Sequence, residues 1–326
     1  MIRLALIGCC GPIETYAELA SRLQNATFVA VADSDRDQAR RGAEMLRAPI
    51  SAGGLDELLN QHADAFDAAV VHTASDTASA DSRSAADGGK HLLVESPLAP
   101  SLEMADSLIE SCAAANVRLM VGQASRFVPA VQTVKSSLES GKLGVPGLLR
   151  IHRWESLKTD PAEELQQRAV REIDLANWLF GRPPTDVYAA ARTVSSSPHD
   201  GPDYVQIHLG FPEGGMAMID ESATISGDED YFSLSMIGST GAACADDHRN
   251  MQLLYGGGRP AALKTGQGSL HLLAQLQEFV SAIEESREPA IRGADGRLAL
   301  QVAAAVVESM NTGRAVRRTG ERYEAV

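Results

Sequence analysis

The sequence predicts an α/β protein in which a doubly wound parallel sheet precedes an α/β domain with an open, mostly antiparallel sheet. Three observations predict this fold class. Short apolar runs alternate with amphipathic segments over residues 1–122. From Gln123 onward, strand-like runs follow one another without regular helices between them. The chain has 326 residues, more than one core usually organises, so two domains are expected, 1–122 and 123–326.

The first domain shows the alternation of strand and helix that a parallel sheet requires. Its strands are predicted as continuous apolar runs because such strands are buried on both faces. The predicted strands are 4–8, 28–33, 66–74, 91–95 and 117–122, and the predicted helices are 14–25, 36–46, 78–89 and 101–116. Helical crossovers between buried strands indicate a doubly wound sheet.

The second domain is predicted from strand-like runs separated by turn clusters rich in Gly, Pro and Asp. The predicted strands are 147–155, 186–193, 204–211, 215–222 and 231–238, and the predicted helices are 162–180, 269–287 and 294–312. Gly181 and Gly313 follow the first and third helices, as C-terminal cap residues do. A parallel domain followed by a mixed one predicts a ligand in the cleft between them.

Composition excludes several classes of function. The net charge is −14, which argues against a nucleic-acid surface and against a polybasic membrane anchor. The four cysteines show no zinc-like spacing, so free thiols in a reducing cytoplasm are expected. Asp246, Asp247 and His248 favour a solvated loop over a metal site, and we expect no metal. The chain has no Gly-x-Ser-x-Gly elbow.

A nucleotide site is predicted at the end of the first strand, in the run GCCGPI. A full G-x-G-x-x-G would need glycine at 8, 10 and 13, and only Gly8 fits, with Gly11 between. Cys10 carries a side chain where bare backbone normally meets a pyrophosphate, and Ile13 stands where glycine permits close helix packing. Pro12 lacks an N–H but is tolerated in a first helical turn. The helix N-terminus still offers its amides and dipole.

Asp33 ends the second strand, where a carboxylate can accept hydrogen bonds from a ribose diol. This favours NAD over NADP, because a carboxylate repels a 2′-phosphate. The alternative is that Asp33 only caps the next helix. His72 ends the strand at 66–74 and is either a substitute acid/base or a structural hydrogen-bonding residue. His152 and Arg126 are further candidates for ligand contact.

Three stretches together resemble the glucose–fructose oxidoreductase / inositol dehydrogenase (Gfo/Idh/MocA) family. They are the N-terminal strand, turn and acid; the run KHLLVESPLAPSLEMADSLIESCAAANVRLMVGQASRF; and REIDLANWLFGRPP. The resemblance implies a Rossmann-type dinucleotide-binding domain and a substrate and oligomerisation domain that often makes oligomer contacts through its sheet. It implies a sugar-like ligand, a homo-oligomer and NAD. The implied cofactor contacts are Gly8, Cys10, Gly11, Pro12, Ile13, Asp33, Thr73, Glu95 and Pro97.

The family's proton-handling residues are replaced in this sequence. Members typically use the lysine of a Glu-Lys-Pro motif and an aspartate and histidine four residues apart. Here Ser96 lies between Glu95 and Pro97, and counting back from IDL gives Gln167 and Arg171. Serine is a poor acid and base without a partner, and arginine stays protonated. Arg171 can instead grip a carboxylate in a fork geometry.

Three functions stay open. The first is an NAD-linked oxidoreductase of a sugar, polyol or sugar acid with a rebuilt active site. The second is a catalytically inactive relative that binds a ligand or acts as a partner subunit. The third is a structural oligomer partner in which Cys10 and Ile13 block nucleotide binding.

Overall fold

The computed structural model describes residues 1–8, 13–72, 76–156, 165–193, 202–225, 231–246, 251–255, 261–264 and 270–326. The chain forms two compact units. The first comprises 1–124 and 269–297, and the second comprises 125–268 and 298–326.

The described helices and strands alternate up to residue 122, and from residue 186 to residue 264 the strands follow one another without an α-helix among the described residues. The strands are β1 Ile2–Ile7, β2 Ala26–Ala32, β3 Ile50–Ala52, β4 Ala68–Val71, β5 His91–Glu95, β6 Leu119–Gly122, β7 Pro146–Ser156, β8 Asp186–Arg192, β9 Tyr204–Gly210, β10 Met216–Ile225, β11 Tyr231–Gly238, β12 Ala242–Asp246, β13 Met251–Tyr255, β14 Ala261–Lys264, β15 Val316–Thr319 and β16 Arg322–Ala325. The helices are α1 Ile13–Ala20, α2 Arg36–Leu46, α3 Leu55–His62, α4 Asp76–Asp87, α5 Leu102–Ala114, α6 Pro129–Glu139, α7 Leu165–Phe180, α8 Leu270–Glu284 and α9 Gly293–Thr312. Short 3₁₀ turns lie at 63–65, 124–127 and 212–214.

The first unit is built on a six-stranded sheet in the order β3-β2-β1-β4-β5-β6, with every pair parallel. The predicted parallel sheet is confirmed. Strands β1, β4, β5 and β6 are buried along most of their length, as continuous apolar runs require. The chain reverses its winding direction between β1 and β4, which is the switch point where open sheets bind ligands.

Residues 269–297 belong to the first unit, whereas the predicted boundary after residue 122 assigned them to the second domain. The reason is close packing. A Cβ on Gly296, in the first turn of α9, would lie 2.9 Å from Val121 of β6. Gln277 of α8 accepts a hydrogen bond from the backbone N–H of Gln24 at 2.9 Å. The residues that make these contacts are far apart in sequence, so local sequence patterns could not predict the contacts.

The second unit carries a ten-stranded sheet in the described residues, in the order β14-β13-β12-β11-β7-β10-β9-β8-β15-β16. Its pairs are antiparallel except β7 with β10, which run parallel. The predicted open, mostly antiparallel sheet is therefore confirmed. Strands β12 to β16 and helix α6 were not predicted, because they are short or lie beside turn-rich sequence.

The two faces of this sheet differ in burial. Ile151, Ile207, Ile219 and Leu234 point to a buried face, and α7 packs on the same part of the sheet, against β7 and β10. The alternate residues form the second face and are half-buried or exposed. Glycines end two of the helices at positive φ, with Gly181 at +69° and Gly313 at +68°, as the sequence predicted.

Candidate functional site

The carboxyl edge of the parallel sheet gathers the chemistry-bearing residues of the first unit. Gly8 follows β1, Asp33 follows β2, His72 follows β4, Glu95 ends β5 and Gly122 ends β6. Because the strands are parallel and neighbours in the sheet, all five residues lie at the same edge. This edge flanks the switch point between β1 and β4, so it is the candidate ligand site of the first unit.

Gly8 adopts a backbone conformation that favours glycine. Its φ is +87°, and its N–H donates to the carbonyl of Ala32 at 2.8 Å. Ile13 is the first residue of α1, and it is buried where the third glycine of a full motif would stand. A glycine of positive φ after the first strand, with a helix that begins at Ile13, fits a dinucleotide. Cys10, Gly11, Pro12 and Thr73 lie outside the described residues.

Asp33 does not cap the next helix. That position belongs to Asp35, whose side chain accepts from the backbone N–H groups of Asp37 and Gln38. The Asp33 carboxylate instead accepts a hydrogen bond from the N–H of Asp35 at 2.9 Å, within the turn between β2 and α2. Asp33 is half-buried, so its carboxylate is held in one place at the sheet edge. The fit to a dinucleotide therefore includes a fixed acid on the strand beside Gly8.

Glu95 lies at the centre of a polar cluster. Its Oε1 accepts a hydrogen bond from the Tyr16 hydroxyl and another from Gln275 Nε2, each at 3.0 Å. Desolvation raises the pKa of Glu95 to about 7, although both hydrogen bonds act in the opposite direction. Burial and the neighbouring carboxylate raise the pKa of Tyr16 well above its ordinary value. Glu95 therefore titrates near neutrality.

His72 lies beside this cluster. Its ring meets the ring of Tyr16 edge to face, with centroids 6.1 Å apart, and its backbone N–H donates to the carbonyl of Ile7. Burial lowers the pKa of His72, so the imidazole is neutral at pH 7. A neutral imidazole can accept a proton, so the substitute acid/base role stays a prediction.

Ser96 has no acidic or basic partner in the described residues. Its Oγ is buried without a hydrogen bond there, and its backbone N–H donates to the carbonyl of Gly122 at 3.3 Å. The Ser96–Pro97 peptide bond is cis. Gln123, one residue beyond β6 and 1% exposed, also leaves both amide atoms unpartnered in the described part of the chain. Unsatisfied polar atoms at this edge are the pattern expected where water or a ligand completes the bonding.

Helix α7 of the second unit carries Arg171 just before Glu172 and Asp174, each of which forms an ion pair. Glu172 binds Arg153 of β7 at 2.9 Å, and Asp174 binds Arg126 through two contacts at 2.6 and 2.7 Å. The Arg126 and Asp174 side chains are 6% and 2% exposed. Arg126 was a candidate for ligand contact, but its guanidinium is occupied by Asp174. Arg171 is half-buried, and the side chain of Gln167 lies outside the described part.

Sequence patterns did not reveal Tyr16, Gln275 or Gly122 as members of the site. Tyr16 reads as one apolar position of an amphipathic helix, and Gln275 is one of three polar residues, with Gln277 and Glu278, in the run LLAQLQEFV. Gly122 matters because a Cβ there would lie 2.3 Å from Oε2 of Glu95. Because Gln275 shares this run with two other polar residues, the sequence pattern did not single it out.

The half-exposed face of the second sheet carries its own polar and aromatic groups. His152 Nδ1 lies 3.1 Å from Asp220 Oδ2, and the Trp154 and Tyr231 rings lie 4.6 Å apart. A cavity of about 640 Å³ near Trp154 is lined by residues of β8, β9 and β10. His152 is thus held by a carboxylate within this unit.

The described residues lack the features of a metal site and of a membrane span. No group of three or more His, Cys, Asp or Glu side chains there could hold a metal ion. None of the helices described is both long and apolar enough to cross a bilayer. Asp247 and His248, considered above as weak metal ligands, lie outside the described residues.

The fold and the sheet-edge residues together define a two-unit protein of the nucleotide-binding Rossmann class. The chain belongs to the Gfo/Idh/MocA family. Residues 2–123 match the family's oxidoreductase domain with an NAD-binding Rossmann fold, and residues 135–317 match its C-terminal α/β domain.

Relatives of known sequence and structure extend over nearly the whole chain. The myo-inositol 2-dehydrogenase of Thermotoga maritima is 25% identical, covering 97% of this chain and 98% of its own. The inositol 2-dehydrogenase of Rhizobium meliloti is 26% identical, covering 95% and 97%. A crystal structure of an oxidoreductase from Agrobacterium radiobacter, solved with NAD⁺, L-tartaric acid and magnesium, is 20% identical with a TM-score of 0.85, covering 97% and 98%. The last likeness establishes the fold alone.

Proposed function

We propose that the protein is an NAD-dependent oxidoreductase that acts on a sugar, polyol or sugar acid through a rebuilt proton-handling site. The observation that carries the proposal is the edge of the parallel sheet in a chain of this oxidoreductase family. There Gly8, with φ of +87°, and the fixed carboxylate of Asp33 follow neighbouring strands. A glycine turn and an acid in this arrangement suit the pyrophosphate and the ribose of NAD.

NAD is preferred over NADP in this proposal because of Asp33. A carboxylate accepts hydrogen bonds from two ribose hydroxyls but repels a 2′-phosphate. NAD supplies the hydride acceptor when bound. The cofactor contacts carried over to Cys10, Gly11, Pro12 and Thr73 remain part of the proposal.

The substrate class follows from Arg171 and from the relatives. The relatives that the chain matches include dehydrogenases of inositols and of D-apiose, so a polyhydroxylated carbinol is the parent substrate type. Arg171 adds a permanent cation at the position of the family histidine. A guanidinium binds a carboxylate through two parallel hydrogen bonds, so uronic and aldonic acids belong in the substrate panel.

Cofactor titration followed by a turnover assay tests this function. NAD, NADH and NADP are titrated into the purified protein by calorimetry, and the unfolding temperature is measured with each. Ligand at about 100 times its Kd stabilises a protein by about 2.7 kcal/mol, which is readily seen. Inositols, aldoses, uronic acids and aldonic acids are then assayed for NADH formation. Absence of NAD binding would leave the structural oligomer partner as the better function.

A catalytically inactive, ligand-binding relative is the second candidate. The observation in its favour is that Ser96 lacks an acidic or basic partner in the described residues and that Arg171 cannot serve as a base. The variant Ser96→Lys/Gln167→Asp/Arg171→His returns the family's residue types to all three positions. NAD binding with turnover only in this variant would favour the inactive relative, and turnover by the natural protein would exclude it.

We also propose that the protein forms a homo-oligomer through the exposed face of the second sheet. Met216, Leu148 and Ile237 are register neighbours on β10, β7 and β11, and Met216 and Ile237 are 50% and 44% exposed. Trp154 and Tyr204 are also exposed on this sheet. Exposed apolar and aromatic side chains on one face of a sheet are typical of an interface.

A further inference from the structure

We propose that Glu95 accepts the proton released when the substrate hydroxyl is oxidised, at its Oε2 atom, with Tyr16 and Gln275 as positioning residues. This inference rests on the proposed oxidoreductase function. Oxidation of a carbinol breaks one C–H and one O–H bond. The C–H pair leaves as the hydride for which bound NAD is the acceptor, and the O–H proton needs a base on the protein.

The first argument concerns the two oxygens of Glu95. Both hydrogen bonds that this carboxylate accepts, from Tyr16 and Gln275, end on Oε1. Two donors on one oxygen fix the carboxylate plane and leave Oε2 as the atom that takes a proton. Glu95 is a half-buried residue at the carboxyl edge of the sheet, and the surrounding protein desolvates its carboxyl group.

The second argument is that the fold makes room for Oε2 where β6 ends. A Cβ on Gly122 would lie 2.3 Å from Oε2 and 2.6 Å from Cδ of Glu95. Only glycine at this position lets the carboxylate occupy its observed place beside β6. The neighbouring residues Ser96 and Gln123 leave buried polar atoms without partners in the described residues, as an edge that receives a hydroxylated ligand would.

The third argument is electrostatic. A base works best when its pKa lies near the working pH, and burial brings Glu95 to about 7. Ser96 offers no base, and Arg171 cannot release a proton in this range. Glu95 adjoins the position of the family lysine in sequence.

The experiment combines a direct titration with kinetics. The carboxyl group of Glu95 is titrated by infrared difference spectroscopy between the natural protein and Glu95→Gln, without cofactor, from pH 5 to 9. We expect a transition near pH 7 that Glu95→Gln lacks and that moves to higher pH in Tyr16→Phe, because the phenol bond favours the ionised form. Circular dichroism checks that each variant folds.

The kinetic arm uses the substrate that the turnover panel identifies. We expect kcat/KM for oxidation to rise with pH through about 7 in the natural protein. It should fall by about 100-fold or more in Glu95→Gln, within the usual range for loss of a general base. In Tyr16→Phe the same rise should occur at higher pH. A structural role for Tyr16 would lower activity without moving the profile.

The outcomes separate this inference from the function beneath it. Absence of turnover by the natural protein would refute the oxidoreductase proposal. It would also refute the role of Glu95 as a proton acceptor, which depends on that proposal. Turnover that survives in Glu95→Gln with an unchanged pH profile would overturn the role of Glu95 alone. Absence of a Glu95 carboxyl transition between pH 5 and 9 would do the same without any kinetic measurement, and Tyr16→Phe provides the test if Glu95→Gln does not fold.

Discussion

The Tyr16 hydroxyl donates a hydrogen bond to Oε1 of Glu95 at 3.0 Å, and this contact joins the first helix to the end of the fifth strand. The two residues are 79 positions apart in sequence. Gln275, from a helix 180 positions beyond Glu95, donates to the same oxygen. The cluster therefore ties three separate segments of the first unit to one titratable group, so its protonation is coupled to folding.

Glu95→Gln is expected to change how stability depends on pH. The folded-state pKa of about 7 lies above the ordinary value of 4.5, so Glu95 imposes no penalty at low pH. As the pH rises from 4.5 to about 7, the Glu95 carboxyl ionises in the unfolded chain before it ionises in the folded protein. The natural protein therefore loses stability relative to the variant as the pH rises. Between pH 5 and 8 the loss should be on the order of 2–3 kcal/mol. Urea unfolding at both pH values measures it.

Glu110→Gln is the matched control for this prediction. Glu110 is an exposed carboxylate on α5 of the same unit, so its removal should leave the difference between the two pH values unchanged. If the free energy of unfolding depends on pH equally in the natural protein and in Glu95→Gln, the raised pKa of Glu95 is contradicted.

Removing one partner of the buried Arg126–Asp174 pair is expected to destabilise the second unit strongly. Asp174→Asn leaves the Arg126 guanidinium without its bidentate acceptor in a site where the two side chains are 6% and 2% exposed. Breaking a buried pair on one side typically costs about 3–5 kcal/mol. Replacing both residues, as Arg126→Met/Asp174→Leu, should recover most of the loss because no charge remains buried.

Guanidinium unfolding of Arg126→Met, Asp174→Leu and the double variant measures this coupling, beside Asp174→Asn. Asp37→Asn serves as a control, because Asp37 and Arg40 form a pair at 2.9 Å whose side chains are largely exposed, and its loss should change stability little. Additive effects of the two single changes at 126 and 174 would show that the pair carries no coupling energy.

Much of the fold followed from periodicity, because strands buried on both faces read as apolar runs and helices as amphipathic ones. The sequence also assigned Ser96 to the position of the family lysine, because Glu95 and Pro97 lie on either side of it. That assignment stays a prediction. The sequence did not assign residues 269–297 to the first unit, because the contacts of Gln275 and Gly296 with β5 and β6 are distant in sequence. The sequence analysis also listed Arg126 as a candidate for ligand contact. No local pattern predicts its ion pair with Asp174, which is 48 positions away in sequence.

Asp33→Asn is expected to weaken NAD binding and to reduce discrimination against NADP. Asparagine keeps the oxygen that accepts from the N–H of Asp35, so the turn into α2 should persist while the charge is lost. Loss of charged hydrogen bonds to a ribose diol should raise the Kd for NAD about 10- to 100-fold, and the Kd for NADP should rise less or fall. Calorimetric titration of both cofactors measures the two constants.

The control for the cofactor prediction is again Asp37→Asn, which removes a carboxylate from the exposed start of α2. It should leave both dissociation constants unchanged. If Asp33→Asn binds NAD as tightly as the natural protein does, the acid at the end of β2 has no part in cofactor selection.

Ile237→Lys is expected to dissociate the proposed oligomer. Ile237 is 44% exposed on β11 and lies in register with Leu148 of β7, so a lysine there would bring an unpaired charge into the apolar part of the interface. A buried charge without a partner costs several kcal/mol, so the oligomer Kd should rise by about 100-fold or more. Light scattering after size-exclusion chromatography measures the mass across a concentration series.

Met104→Lys, which alters a 37% exposed apolar residue on α5, should keep the natural mass. An unchanged mass in Ile237→Lys would remove this face as the contact, whereas dissociation of both variants would point to a general effect of added charge.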